Sequence, residues 1–435
     1  MVESLSLAAI VIISSLLFGS VETWSFALVG ILTLVLFNVW FIQGLRNGTR
    51  MVYFEKNMLI AVLAFVCFVL VQIIPLPPVL LGLLASKKSS FLGMLSLSGF
   101  NSISIYPYAT VNALMKLILY ILLFTLSAFL AVDRAESWHF LKIIVFFGFL
   151  LSLFAIIQNA TWNGKIFWFR ELTKGGSPFG PFVNRNHFAG FIGMIIPFGL
   201  ALGLRSRDRE KKFLYIFVSV IMGLGLFYSL SRGGIISFIV STFFFVVFVI
   251  VRKYSSGSRI VIGIFISLLA SYLLYFGMSP ILDRFASADV SMGHRAFIWE
   301  AMLGAAKDFF LMGSGLGTFP YMSPMYHPGE VTAFFDHAHN DYIEFLTDTG
   351  IIGVVLFVAF FIAYVRDVMG SRWWKRRHYH MILAGISSII YIAVHSIVDF
   401  NLHIPSNALL LAVVMGLVYG RAMGMRIHSE GEGIT

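Results

Sequence analysis

Long apolar runs that return along nearly the whole chain constrain the fold more than any other feature of this sequence. A helix needs roughly 20 apolar residues to cross the hydrocarbon core of a membrane. Only 12% of the residues are charged, about half the average of soluble domains. The predicted spans are 4–20, 24–43, 58–80, 109–132, 141–158, 187–204, 213–231, 234–251, 260–278, 345–365, 381–399 and 405–422. The sequence therefore predicts an all-α integral membrane protein with about 12 transmembrane helices, in one polytopic domain over residues 1–435.

The distribution of Lys and Arg predicts how the chain crosses the membrane. Most of the 31 basic residues fall in short connections on one face, at 46–56, 134–142, 205–212, 252–259, 366–377 and 421–426. Short basic connections stay in the cytoplasm, so both termini are predicted to lie there. This pattern also accounts for the positive net charge without a nucleic-acid partner. The cytoplasmic connections are too short for a nucleotide-binding domain, and the longest loop, residues 279–344, faces the other side.

The stretch HAHNDYIEFLTDTGIIG (337–353) gathers polar chemistry at the end of that long loop. Asp341 and Glu344 have the spacing of a capping box, which predicts a helix that begins there. His339 then precedes a helix N-terminus, whose dipole disfavours an imidazolium and keeps the ring available as a base. His337 is either its partner or merely its neighbour. A zinc site is the rival interpretation of the two histidines, although the sequence offers no convincing third ligand.

Three of the arginines that lie on the predicted outer face, against the positive-inside pattern, are candidate site residues. Arg232 follows the seventh span, where Gly233 and Gly234 favour a tight turn between helices. Arg295 is predicted in the first turn of an amphipathic helix on or near the membrane, where its charge opposes the helix dipole. Arg185 lies in an amide-rich cluster that either caps the sixth span or extends an anion site. The alternative for each is an ordinary surface or interfacial arginine. Together with the histidine, they favour an anionic, lipid-linked substrate and deprotonation of a hydroxyl.

The chain resembles the O-antigen ligase and polymerase superfamily of bacterial inner membranes. His339-Asn340, nine residues, then Gly350-Ile-Ile-Gly353 matches the ligase hallmark. Three further segments are similar to family segments in family order: SRGG (231–234), GHRAFIW (293–299) followed by GSGLGTF (313–319), and HSIVDFNLHIPSNALLLAV (395–413). The resemblance runs from about residue 150 to the C-terminus.

The resemblance implies a glycosyl transfer without metal or cofactor on the periplasmic face of the inner membrane. The donor would be a glycan on undecaprenyl diphosphate, and the acceptor a hydroxyl of lipid A-core or of another glycan. His339 would be the general base, and Arg232 and Arg295 would contact the diphosphate. Asp399 matches an acidic position of the family's C-terminal segment, with its role left open. The candidate substrate-binding residues are His337, Asn340 and Asp399, together with Arg185, which the charge argument adds and the resemblance does not.

Several functions remain open at this point. The spacing of the hallmark favours a ligase, whereas a polymerase would transfer a growing glycan to another lipid-linked unit. A protein O-oligosaccharyltransferase is a further alternative. A transporter of lipid-linked glycans should place polar residues near the bilayer midplane, but here they gather at the outer ends of the spans.

Overall fold

Apolar helices build the bundle in the computed structural model, which describes residues 2–47, 54–172, 176–252, 256–276, 279–286, 288–326, 335–376 and 379–431. Within these ranges, extended backbone pairs only as isolated bridges. The helices are α1 (Val2–Leu16), α2 (Thr23–Asn47), α3 (Lys56–Ile73), α4 (Pro78–Leu84), α5 (Ser86–Met94), α6 (Pro107–Leu130), α7 (Arg134–Ala160), α8 (Arg185–Arg205), α9 (Arg209–Tyr228), α10 (Arg232–Val251), α11 (Ser256–Phe276), α12 (Ser279–Ala286), α13 (Ala288–Asp308), α14 (Phe319–Met322), α15 (Asp341–Gly370), α16 (His380–His395) and α17 (Pro405–Gly431).

The helices confirm the predicted all-α membrane architecture. Within the described part of the chain, nine helices are long and apolar enough to cross a membrane: α2, α3, α6, α7, α8, α9, α10, α15 and α17. Three shorter apolar helices, Val2–Leu16, Ile260–Tyr272 and His380–His395, lie at the other three predicted spans. The count of twelve spans stays a prediction, because α1 and α16 are shorter than a full crossing and the apolar part of α11 is described only over Ile260–Tyr272.

Two predicted spans end earlier than their apolar runs suggest, and a third is interrupted. Helix α3 stops at Ile73 because Pro75, Pro77 and Pro78 cannot continue it. Helix α16 stops at His395, so the following residues up to Asp399 belong to a connection. Helix α15 begins at Asp341 and is broken at Gly350, whose φ of 61° and ψ of −170° are not helical.

Two helices form the centre of the bundle. In the most apolar segment of α8, 100% of the residues are buried, and in that of α17, 83% are buried. Helix α8 packs against α7, α9, α10 and α16, while α17 packs along α6. Small residues allow this approach, because a side chain at Gly416 or Gly420 of α17 would collide with the backbone of α6. The N-terminal end of α8, which begins with Arg185, therefore lies in the middle of the bundle.

The apolar face of α13 packs inside the protein rather than on a membrane surface. Ile298, Met302, Ala305 and Phe309 are at most 5% exposed and form a cluster that Phe319 and other loop residues complete. Protein therefore covers this apolar face, and the position of the helix on or near the membrane stays a prediction. The predicted first-turn position of Arg295 is wrong, because α13 begins at Ala288, roughly two turns earlier.

We expect Gly420→Ala to destabilise the protein. Alanine is normally the better helix former by about 1 kcal/mol, but here the added methyl would meet the carbonyl oxygen of Ala128. Overpacking of this kind costs about 1–3 kcal/mol. Gly424→Ala, one turn further along α17, is the matched control because its added methyl meets only the Cα of Val132 at 3.9 Å. Thermal unfolding in detergent should show a lower midpoint for Gly420→Ala alone; equal midpoints would contradict the packing argument.

Candidate functional site

The segment before α15 is fixed by hydrogen bonds at almost every residue. Asn340 is the N-cap of α15, and its side-chain oxygen accepts from the backbone N–H groups of Tyr342 at 3.0 Å and Ile343 at 3.1 Å. The N–H of Ala338 donates to the carboxylate of Glu344 at 2.9 Å. The carbonyl oxygen of Ala338 accepts from the indole N–H of Trp299 at 3.0 Å. The helix begins at Asp341 as predicted, but its N-cap is Asn340, so the capping box predicted with Asp341 as the cap is wrong by one residue.

His339 lies in this fixed segment in a strained backbone conformation. Its φ of 50° falls in the left-handed region, which few residues other than glycine adopt. Its Nδ1 lies 3.7 Å from the Oδ1 atom of Asp399, and its side chain is 31% exposed. Such strain persists only where the surroundings impose it, and it concentrates at functional sites. The structure therefore places the Nδ1 edge of the ring near a carboxylate and leaves part of the ring exposed.

Asp399 lies in the connection after α16, at the centre of three histidines. It is 1% exposed, and its Oδ1 atom accepts from the N–H of Phe400 at 2.9 Å. The Nε2 atom of His187 lies 4.0 Å from the same oxygen, and His395 ends the helix just before it. Burial raises the pKa of the Asp399 carboxyl, but His339, His187 and His395 together hold it well below its usual value. Asp399 is therefore a stable anion, able to orient a histidine and to stabilise its charged form.

A pocket beside Asp399 is lined by three arginines. Its lining residues are Asn186, Leu230, Arg232, Gly233, Arg284, Arg295, Val398 and Asp399. Arg232 donates to the carbonyl oxygen of Arg284 at 3.3 Å, and Arg295 donates to that of Val398 at 2.6 Å. Arg185 lies within electrostatic range of Arg284 and Arg232. Arginines gathered in this way suit a phosphate or diphosphate, whose oxygens accept several N–H bonds at once.

Two helix N-termini add to this positive potential. Asn184 caps α8 and Ser231 caps α10, so Arg185 and Arg232 are the first residues of their helices. The turn before α10 does not use the flexibility of its glycines, since the positive φ of 54° falls on Leu230. Instead, Gly233 permits close packing, because a Cβ atom there would lie 2.7 Å from Val398. The glycines therefore bring α10 close to the connection that carries Asp399.

A second polar network lies on the other side of the His337–Asn340 segment. The two ring nitrogens of His403 lie 2.8 Å from Asp341 and 3.0 Å from Glu344, and His337 Nδ1 lies 2.8 Å from Glu344. Burial lowers the pKa of His403, but the carboxylates of Glu344 and Asp341 outweigh it and raise the pKa to about 9. His403 is therefore charged at neutral pH.

The same network contains three groups of the metal-binding kind. Ligand atoms of His337, Glu344 and His403 lie within 4.8 Å of one another. However, the two histidine–glutamate distances, 2.8 and 3.0 Å, are hydrogen-bond lengths. Ligands of a tetrahedral zinc ion lie about 3.3 Å apart. The geometry therefore favours a hydrogen-bonded ion network over a metal centre.

The sequence predicted most residues of this site, but it did not identify Arg284 or His403. The structure brings the predicted Arg185, Arg232, Arg295, His339 and Asp399 together, as the pocket and its neighbours show. It places Asn340 and His337 in the hydrogen bonds that fix the loop. Arg284 was missed because α12 looked like ordinary loop sequence. His403 was missed because no local pattern relates it to Glu344, 59 positions earlier in the chain.

We expect Arg284→Gln to weaken the binding of inorganic diphosphate by about tenfold, because one charged hydrogen-bond donor is lost. Isothermal titration of the purified protein in detergent measures this affinity. Arg46→Gln is the matched control, since Arg46 is exposed in the last turn of α2 and does not line the pocket. Unchanged affinity in Arg284→Gln would exclude Arg284 from the anion site.

Comparison with known proteins finds one related family. Residues 217–358, about a third of the chain, match the family model described as O-antigen ligase. The matched segment contains Arg232, Arg284, Arg295 and His339, whereas Arg185 and Asp399 lie outside it. No curated protein matches the chain. The helices make the protein a multi-pass membrane protein, and the matched segment supports its relation to the O-antigen ligase superfamily.

Proposed function

We propose that the protein is an inverting glycosyltransferase that moves a glycan from undecaprenyl diphosphate to a hydroxyl acceptor, as an O-antigen ligase acting on lipid A-core. One observation carries the proposal: Asp399 lines the arginine pocket and also lies 3.7 Å from Nδ1 of His339. The carboxylate of Asp399 therefore lies between the candidate base, His339, and the arginine pocket that suits a diphosphate. A transfer that breaks a sugar–diphosphate bond needs these two groups side by side.

The chemistry follows from which nitrogen of His339 faces Asp399. With Nδ1 directed at the carboxylate, Nε2 is the nitrogen that takes the proton of the acceptor hydroxyl. The acceptor oxygen then attacks the anomeric carbon from the face opposite the diphosphate, and the bond to the diphosphate oxygen breaks with inversion. Arg232, Arg284 and Arg295 stabilise the charge that builds on the leaving diphosphate. Asp399 stabilises the imidazolium, and the partly exposed ring passes its proton to water. No step calls for a metal or a cofactor.

The surroundings of the pocket support a lipid-linked donor over a soluble one. Arg284 lies on α12 beside Leu282 and Phe285, which are 56% and 36% exposed. Leu230 adds an apolar side chain to the pocket lining. A polyprenyl chain can bury such apolar surface, whereas a soluble nucleotide sugar has no apolar chain to place against it.

The charge distribution supports the periplasmic face of the bacterial inner membrane. Arg205 ends α8 and lies over the ring of Trp138 near the start of α7, at the end of the bundle opposite Arg185. That end carries the short basic connections, which remain in the cytoplasm. The site then faces the periplasm, both termini are cytoplasmic, and the sugar diphosphate itself supplies the energy for transfer.

We expect His339→Ala to leave the protein folded and to lower glycan transfer by at least about 100-fold, because no base remains for the hydroxyl. Purified protein is supplied with a polyprenyl-diphosphate-linked glycan, with and without lipid A-core, and the products are separated on a gel. One product that requires the acceptor supports a ligase. A ladder without the acceptor would show a polymerase, and transfer retained in His339→Ala would sink the assignment of the base.

We expect Asp399→Asn to lower kcat by about 100-fold, because the imidazolium loses its counter-charge. The KM for the donor should stay equal or fall, since the arginine pocket loses a negative neighbour. Because the pKa of Asp399 is depressed, its carboxyl stays ionised throughout the ordinary carboxyl range and is protonated only as pH falls through the lowered value. Steady-state kinetics separate the two parameters. A raised KM with unchanged kcat would place Asp399 in donor binding instead.

A further inference from the structure

His403 lies between two carboxylates of the first turn of α15. Its Nδ1 is 2.8 Å from Asp341 and its Nε2 is 3.0 Å from Glu344. Ionised carboxylates only accept hydrogen bonds, so both ring nitrogens must carry protons for both contacts to be favourable. The ring is therefore an imidazolium held at two ends.

The two carboxylates need this cation because they are buried close together. Asp341 is 4% exposed and Glu344 is 1% exposed, one helical turn apart. Without a cation, two buried negative charges on one turn would repel each other, and one would take up a proton. Protonated Glu344 would then lose acceptor capacity for its other two donors, the N–H of Ala338 and Nδ1 of His337.

Those two bonds fix the backbone directly before His339. The segment places His339 at a φ of 50°, a conformation that the surrounding bonds must maintain. On the proposed function stated above, we infer that His403 is a positioning residue: its charged ring keeps Glu344 ionised, and Glu344 holds His339 beside Asp399.

Every charged neighbour of His403 agrees with this role. From α15 it faces Asp341, Glu344 and, at longer range, Asp348. The ring of His337 lies 4.8 Å away, centroid to centroid. On α8, His187 faces Asp399 and the ring of Phe400. The first turn of α17 presents neutral Ser406 and Asn407.

The charge on His403 sets a pH window. Its pKa rises from an ordinary value near 6.5 to about 9 in the folded protein. A raised pKa means that the stabilisation is complete below the ordinary value and is lost as pH rises through about 9. The positioning of His339, and with it kcat, should therefore fall on the alkaline side near that pH.

The test combines kinetics with a measurement that does not depend on activity. Nitrogen NMR of ¹⁵N-histidine-labelled full-length protein in detergent reports whether both ring nitrogens of His403 are protonated, with His403→Gln used for assignment. Transfer is measured against pH for wild type, His403→Gln, and the double variant His403→Gln with Asp341→Asn. The matched control is His139→Gln, near the start of α7 at the opposite end of the bundle.

We expect a doubly protonated His403 up to about pH 9, and a kcat at least about tenfold lower in His403→Gln with little change in donor KM. The double variant should recover part of the loss, because it removes one buried charge, and it should lack the alkaline limb that wild type and His139→Gln share. If His403→Gln does not fold, the double variant, which also lacks His403, serves for the assignment, and the wild-type titration and pH profile still decide.

A neutral His403 at pH 7, wild-type kcat in His403→Gln, or bound zinc that replaces the ring protons would overturn the inference. Wild-type protein with a charged His403 but no glycan transfer would overturn the proposed function and the positioning role with it, while the ion network itself would stand. The two failures are therefore distinguishable.

Discussion

Charged groups buried between membrane helices are stable only where opposite charges or hydrogen bonds meet them. This constraint organises the whole polar end of the bundle. Asp399 accepts a hydrogen bond from the N–H of Phe400 and lies beside His339, and Asp341 and Glu344 are paired with His403. Since these groups come from the start of α15 and from the connection before α17, the histidine–carboxylate pairs also join separate parts of the chain. The site and the packing of the helix ends are thus one structure.

The same bonds explain why a strained residue is tolerated. Helix α15 begins with a fixed cap at Asn340 and breaks at Gly350, so its first turns are set at their own angle. A side chain at Gly350 would meet the backbone around Leu311 and Gly313, which fixes the break against the loop that contains GSGLG. His339 directly precedes the fixed cap and has little freedom, and a base that is already oriented needs no reorganisation when the acceptor arrives.

The sequence predicted what depends on local pattern. Apolar length located the spans, because the membrane imposes it on each helix separately. The arginines and His339 were found because they break a compositional trend. Helix ends were predicted less well, since His395 ends α16 through the turn that follows it and not through a change in hydropathy. The pairing of His403 with Glu344, and the approach of Arg284 to Arg232, were beyond reach because they depend on tertiary contacts between distant parts of the chain.

The central claim is that one carboxylate joins a diphosphate site to a base. A cryo-EM structure with a non-hydrolysable polyprenyl-diphosphate-linked sugar tests it most directly. The account predicts phosphate density among Arg232, Arg284 and Arg295, with the anomeric carbon on the side of His339. Phosphate density at another end of the bundle, or a sugar held away from His339 with the arginines unoccupied, would contradict it.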